Sequence, residues 1–371
     1  MTIIGIICEY NPFHHGHAYH IAKVKELYPD SLIVLVLNGY FLQRGEISVL
    51  TKEEKVKIAL LEGVDIVIEH PFVFGSNSAD IFAESAITLL NHLKIEKLIF
   101  GSEKNNLELL LKMAKIQLED NFKDKIKIYL DQGDNYPTAL NKAIGIELDS
   151  PNDLLGIAYV KAILKNNFNI EPMTIQRTND HHDLKSDERI VSASNIREKV
   201  KEQIDVSKYT DYSDQIVSIN HNLIFDLIKA KIITEHDLSK YLTVNEGIEY
   251  KLIKEIINSK TREELVNKVK SKRYIHNRIT RMLTHILIGL TKEDKNKLVE
   301  PEYVKLLGFN NRGKVYINKI RKTLEVPLKR KISNDYLAQQ YELRAALVYD
   351  IITSGETIKY ELDNKPIQYD E

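Results

Sequence analysis

Glu9-Tyr10-Asn11-Pro12-Phe13-His14-His15-Gly16-His17 follows directly on the apolar run Thr2–Cys8, and its reading decides the fold. An apolar run, a sharp turn and a helix make a βα unit of the mononucleotide-binding kind. His14, Gly16 and His17 form an H-x-G-H signature at the turn. Histidines at a helix mouth can donate to phosphate oxygens, where free backbone N–H groups and the helix dipole already favour an anion. Gly16 is expected to let the backbone approach a nucleotide where a side chain would collide. Histidines scattered in a loop would carry little weight. Placed just after a first strand, they point to adenylyl transfer.

Outward from this stretch, apolar strand-like runs alternate with helical spacing. Strands are predicted at Thr2–Cys8, Leu32–Leu37, Asp65–Ile68, Lys97–Phe100 and Met173–Gln176. Helices are predicted at His17–Leu27, Lys52–Leu61 and Ile81–Leu93, the second headed by the capping sequence Thr51-Lys52-Glu53-Glu54. This alternation implies an α/β fold, a parallel sheet covered by helices on both faces, with ligands bound beyond the carboxyl ends of the strands. His14, Asn38, Glu69 and Gly101 each follow a different strand and are expected to converge on one cleft. After Lys208 the strand pattern fades. Tyr209–Asp214 reads as a linker, and helices are predicted at Asn222–Ala230, Glu249–Ile257, Arg262–Val269 and Tyr274–Leu290. The expected organisation is a nucleotide domain over residues 1–208 and a mostly α-helical, basic domain over residues 215–371.

The chain has 371 residues, a net charge of −1 and one cysteine, so no disulfide framework forms within it. Cys8 reads as a small buried hydrophobe rather than a nucleophile. No signal peptide and no membrane-spanning run are seen, so a cytoplasmic protein is expected. The near-zero net charge hides an asymmetry: residues 1–150 hold 15 Lys/Arg against 21 Asp/Glu, whereas residues 262–331 hold 19 against 7. That local excess suggests a polyanionic partner such as nucleic acid.

A second stretch, Ile190-Val191-Ser192-Ala193-Ser194-Asn195-Ile196-Arg197, combines a helix-capping Ser192 or Ser194 with Arg197 on the first turn. Hydroxyls, free N–H groups and a guanidinium make a phosphate clamp. Together with the H-x-G-H stretch it matches the two-signature arrangement of HIGH-type nucleotidyltransferases. Gly101 is expected to admit an adenine or ribose, Asn152 to bind a base or ribose edge, and Arg177 to meet a phosphate or the adenine face. Gln43-Arg44-Gly45-Glu46 is either a substrate-binding loop or, more simply, a surface ion pair. His181-His182-Asp183 lacks a third ligand at metal-site spacing.

The segments Glu9–His17, Phe41–Glu46, Ser150–Tyr159, Lys272–Leu290 and Val304–Asn310 resemble, in order, the tRNA(Met) cytidine acetate ligase family of HIGH-type nucleotidyltransferases. Cys8 and His15 depart from the aliphatic residue and Asn more usual there. The resemblance implies a bacterial cytoplasmic enzyme that joins acetate to ATP as acetyl-adenylate, releasing pyrophosphate. It then transfers the acetyl group to N4 of the wobble cytidine, position 34, of elongator tRNA(Met). By the same resemblance the ATP site comprises Ile7, Cys8, Glu9, Tyr10, Asn11, Pro12, Phe13, His14, His15, Gly16, His17, Ala18, Tyr19, His20, Gly101, Asn152, Arg177 and Ser194. His14 and His17 are assigned to the transition-state phosphates, and Arg197 with Ser194 to the departing pyrophosphate. Mg²⁺ is expected to arrive with ATP, without a dedicated protein site. Arg273, Arg278 and Arg281, with Tyr274 as a stacking ring, and the basic loop of Arg312 and Lys314 are expected to bind the tRNA. The alternatives are a small-molecule adenylyltransferase and a non-catalytic RNA-binding protein on a vestigial nucleotide fold. The length of the basic helical segment speaks against the first, and the intact His14, Gly16, His17 and Arg197 against the second.

Overall fold

A computed structural model describes residues 1–148, 150–177, 188–363 and 365–370. The five expected strands form where alternation placed them: β1 (Ile3–Cys8), β2 (Leu32–Asn38), β3 (Ile66–His70), β4 (Lys97–Ser102) and β5 (Glu171–Gln176). They run parallel in the order β5-β4-β1-β2-β3. β2 is buried along its whole length, which is why it reads as an unbroken apolar run. Leu32, Val34 and Val36 face one layer of helices, which includes Ala79–His92 and Pro151–Lys165. Ile33, Leu35 and Leu37 face the other, where helices His15–Leu27 and Lys52–Leu61 pack.

The second half departs from expectation in one respect. Helices His221–Thr234, Ile248–Ile257, Arg262–Val269 and His276–Ile288 do form, around a core of their own. The chain then returns to the sheet. β6 (Val304–Asn310) pairs antiparallel with β3, and β7 (Leu328–Lys329) and β8 (Ile367–Tyr369) pair parallel with β6. Residues beyond 215 are therefore not uniformly helical. The physical reason is the free edge of β3, whose unpaired backbone groups β6 satisfies. The helical core also takes in Tyr40 and Phe41 from the loop after β2 and Phe72, Val73 and Phe74 from the short helix Phe72–Gly75 after β3, which docks it on the carboxyl edge of the sheet.

Candidate active site

β1 ends at Cys8, and the chain turns through Tyr10 (φ 49°) and a cis Asn11–Pro12 bond into the helix His15–Leu27. His14 is the N-cap, in extended conformation. Its Nδ1 accepts from the Gly16 N–H at 3.0 Å, while the His17 Nδ1 accepts from the His14 N–H at 3.3 Å. The two rings stack with centroids 4.0 Å apart. A ring nitrogen that accepts carries no proton, so this reciprocal cap assigns both neutral imidazoles the tautomer with hydrogen on Nε2. Burial lowers the His14 pKa to about 3 and holds His17 well below its ordinary value, with nearby cations adding to both effects. The pair is thus two neutral donors. Gly16 serves an end the sequence did not reveal: a Cβ there would stand 2.7 Å from His14 Cε1. Its lack of a side chain makes room for the capping ring.

Ser192, not Ser194, caps the helix Ala193–Lys201, accepting from the Asn195 N–H at 3.2 Å. Arg197 on the first turn reaches back to the first loop. It donates to the Asn11 carbonyl at 2.8 Å, to Ser194 Oγ at 3.1 Å and to Glu46 Oε2 at 2.8 Å. The two signature stretches are therefore in contact. Glu46 does form an ion pair, but with Arg197 and at the cavity wall rather than on the open surface. Its loop is held from both sides. The Gln43 N–H donates to Glu9 Oε1 at 2.8 Å, while Thr280, Thr284, Arg262 and Arg281 bond the carbonyls of residues 43 to 45.

On the other side of β1, Gly101 lies under the Arg177 side chain, whose Cγ would stand 3.2 Å from an added Cβ. Arg177 Nε approaches Glu103 at 3.7 Å, and the same carboxylate accepts from Asn152. Burial pushes the Cys8 thiol up to about 12, so it is no nucleophile at neutral pH. His20, with its pKa lowered to about 4 by burial, has a buried Nε2 without a partner among the described residues.

Most of these groups face one cavity of about 1110 Å³ at the carboxyl edge of the sheet. Of the expected nucleotide residues, Ile7, Cys8, Glu9, Tyr10, Asn11, His14, Gly16, His17, Tyr19, His20, Gly101, Asn152, Arg177 and Ser194 line it, as does Arg197. Pro12, Phe13, His15 and Ala18 do not. Phe13 packs edge-on against Tyr10 and Tyr212, and His15 turns to Asp211 and the Arg189 carbonyl. Arg273, Arg278 and Arg281 line the same cavity, although the sequence set them in a separate unit. Tyr274 is not free to stack on a base: it is buried, its hydroxyl donates to the Asn245 carbonyl, and Arg278 covers its ring at 4.0 Å. Arg312 stands elsewhere. It donates to the carbonyls of Asp30 and Ser31, at the amino edge of the sheet, with exposed Lys314 on the same helix turn. Asn38 and Glu69 also stay out of the cavity. Asn38 bonds Gly75 and His70, and Glu69 joins a buried cluster with Lys52, Lys305, Glu342 and Glu361. The His181–Asp183 stretch lies outside the described residues.

The family described as HIGH Nucleotidyl Transferase matches residues 1–364. A tRNA(Met) cytidine acetate ligase of Caldicellulosiruptor saccharolyticus is 36% identical, over 99% of this chain and 96% of the relative. One from a Geobacillus strain is 38% identical, over 95% of each. The chain is a member of the tRNA(Met) cytidine acetate ligase family of HIGH nucleotidyltransferases. Crystal structures of Thermotoga maritima TmcAL superpose over the full length of both chains at 25% identity. The TM-score is 0.90 for the apo form and 0.88 for a form bound with alpha-thio ATP. As in any HIGH nucleotidyltransferase, an H-x-G-H helix mouth (here residues 14–17) is the feature to test against a nucleotide. Among the described residues no group of three or more His, Cys, Asp or Glu is arranged to hold an ion. No helix among them is long and apolar enough to cross a membrane.

Proposed function

We propose that this protein activates acetate with ATP and passes the acetyl group to N4 of the wobble cytidine of elongator tRNA(Met). The observation that carries the reading is the reciprocal cap. It presents the Nε2–H groups of His14 and His17 side by side at a helix mouth, with Arg197 tied to the same loop. A carboxylate cannot acylate an aromatic amine without activation. Attack of acetate on the α-phosphorus of ATP forms an acyl–phosphate bond and breaks the bond to pyrophosphate. Charge on the phosphoryl oxygens rises in that transition state, and fixed donors in a water-poor site stabilise it without reorganising. His14 and His17 supply such donors, and Arg197 with Ser194 holds the departing pyrophosphate. Mg²⁺ would come on the triphosphate and share its charge.

The loop Ile7–His20, with Gly101, Asn152 and Arg177, holds the ATP. Residues 1–208 carry this chemistry, and the basic part of residues 215–371 receives the RNA. Arg273, Arg278 and Arg281 meet the anticodon arm at the cavity mouth, whereas Arg312 and Lys314 would touch only a more distant part of the tRNA. The test is ATP–pyrophosphate exchange with purified protein. Exchange is expected with acetate and not without it, and acetyl-CoA should not replace acetate plus ATP in tRNA acetylation. Acetylation of tRNA from acetyl-CoA without ATP would overturn the ligase reading.

A further inference from the structure

Acetyl transfer releases a proton from the cytidine amine, and His14 and His17 are ill-suited to take it. Their Nδ1 atoms are engaged by backbone N–H groups and both rings are far less basic than free imidazole. Six carboxylates line the cavity among the described residues. Glu46 is paired with Arg197, Asp80 with Lys161, Asp134 with Lys142 and Glu246 with Arg273, while Asp131 stands exposed. Glu9 differs from them all. One of its oxygens accepts from the neutral Gln43 N–H at 2.8 Å, and among the described residues no ion pair to a cation holds it.

Its place in the sheet matters as much. Gly101, near the end of β4, and Arg177, just after β5, lie on one side of β1, and the Gln43–Glu46 loop follows β2 on the other. Glu9 follows β1 itself and is bonded across to that loop. It lines the cavity together with Gly101 and Arg177, and the Gln43 that bonds its carboxylate gives its own carbonyl to Arg281. An acyl donor on one side and an incoming amine on the other must meet there.

We propose that the Glu9 carboxylate takes the proton released when cytidine N4 attacks the acetyl carbonyl. The inference rests on the reading under Proposed function. In the step, the N4–carbonyl bond forms and the carbonyl–oxygen bond to phosphate breaks. AMP leaves with that electron pair, and one N4 proton moves to a Glu9 oxygen. The surroundings suit a proton acceptor. Burial raises the Glu9 pKa above its ordinary value, and Glu46 adds to this. The Gln43 N–H, Arg44 and Arg197 pull the other way without cancelling the rise. Lys55 faces the Glu9 carbonyl, and Cys8 and Tyr159 border the carboxylate as uncharged groups at neutral pH. A carboxylate made more basic by its site is a better general base near neutrality.

The experiment separates the two half-reactions. Glu9→Gln keeps an oxygen for the Gln43 N–H but cannot take a proton. Single-turnover acetyl transfer from enzyme-bound acetyl-adenylate to tRNA is expected to fall roughly 100-fold or more. Acetate-dependent ATP–pyrophosphate exchange should fall by less than about tenfold, the range left to lost positioning. In wild type the transfer rate should rise with pH along one acid limb. That limb should be absent in Glu9→Gln and present in Glu9→Asp. Equal losses in both half-reactions, or an acid limb that survives Glu9→Gln, would overturn the proposal. Should Glu9→Gln fail to fold, a flat wild-type transfer profile would do so alone. No acetate-dependent exchange by wild type would instead sink the reading on which it rests.

Discussion

Two sets of polar side chains crowd the carboxyl edge of this sheet, and they have opposite fates. After β1, β4 and β5, the side chains of Glu9, His14, Asn152 and Arg177 are only partly satisfied and face a cavity. At the ends of β2 and β3, Asn38, Glu69 and His70 are consumed by internal partners. Lys52 lies 2.6 to 2.7 Å from carboxylate oxygens of Glu69, Glu342 and Glu361, and Lys305 bonds two of the same three. A strand end at the binding edge is thus a place where chemistry can be put. Whether it is used depends on what packs over it. Here the helical segment and the returning β6 seal the ends of β2 and β3 themselves, while the Gln43–Glu46 loop beyond β2 still reaches the cavity.

The difference can be broken from either side. The largest effect is expected on the sealed side. Lys52→Met takes from Glu342 the cation that pairs it and leaves Lys305 alone with Glu69 and Glu361, and removing one partner of a buried ion pair costs about 3–5 kcal/mol. Urea denaturation measures this, and a loss below about 1 kcal/mol would show the cluster to be solvated. On the open side, His14→Ala and His17→Ala should each lower acetate-dependent exchange by about 10²–10³-fold, as expected for loss of a transition-state donor. Stability should drop by only about 1 kcal/mol, the worth of a helix cap. Wild-type exchange in both variants would remove the histidines from the mechanism.

A smaller effect is expected at the arginines. Arg273→Ala combined with Arg278→Ala should raise the tRNA KM about tenfold and flatten its salt dependence, as for two lost phosphate contacts. Exchange without tRNA should change by less than about twofold, within the spread of surface substitutions. Unaltered tRNA affinity would move the RNA site elsewhere. Arg281 is left out because it holds the carbonyls of Gln43 and Asn77. Both sides also share a pH response. His14 and His70 have pKa values lowered to about 3, and His20 and His285 to about 4, all by burial. The unfolded chain binds these protons near pH 6.5 and the folded one does not. The stability they contribute is full above about pH 6.5 and is lost as the pH falls toward 4 and 3. The urea midpoint should therefore decline from pH 7.5 to 5, and a constant midpoint would contradict the burial.

The H-x-G-H turn and the parallel strands were legible because both rest on local patterns: an apolar run, a turn and a cap. The roles of Gly16 and Glu46 were not. They depend on a ring two residues away folding back and on a guanidinium from far along the chain. β6 was missed for a different reason. Val304, Leu306, Leu307 and Phe309 are a strand-like run, but Lys305 among them argues against burial until its partners Glu69 and Glu361 are known. The convergence of Arg273, Arg278 and Arg281 on the nucleotide cavity needed the docking of one core on another, which no local period encodes.

The return of β6 also has a meaning for how the protein is made. The neighbour that covers β3 begins at Val304, so the ribosome has translated most of the 371 residues before that edge is covered. Until then β3 offers an open row of backbone groups to any nascent chain nearby. The first half cannot mature ahead of the second during synthesis, and a fragment ending at residue 208 would keep that edge open for good.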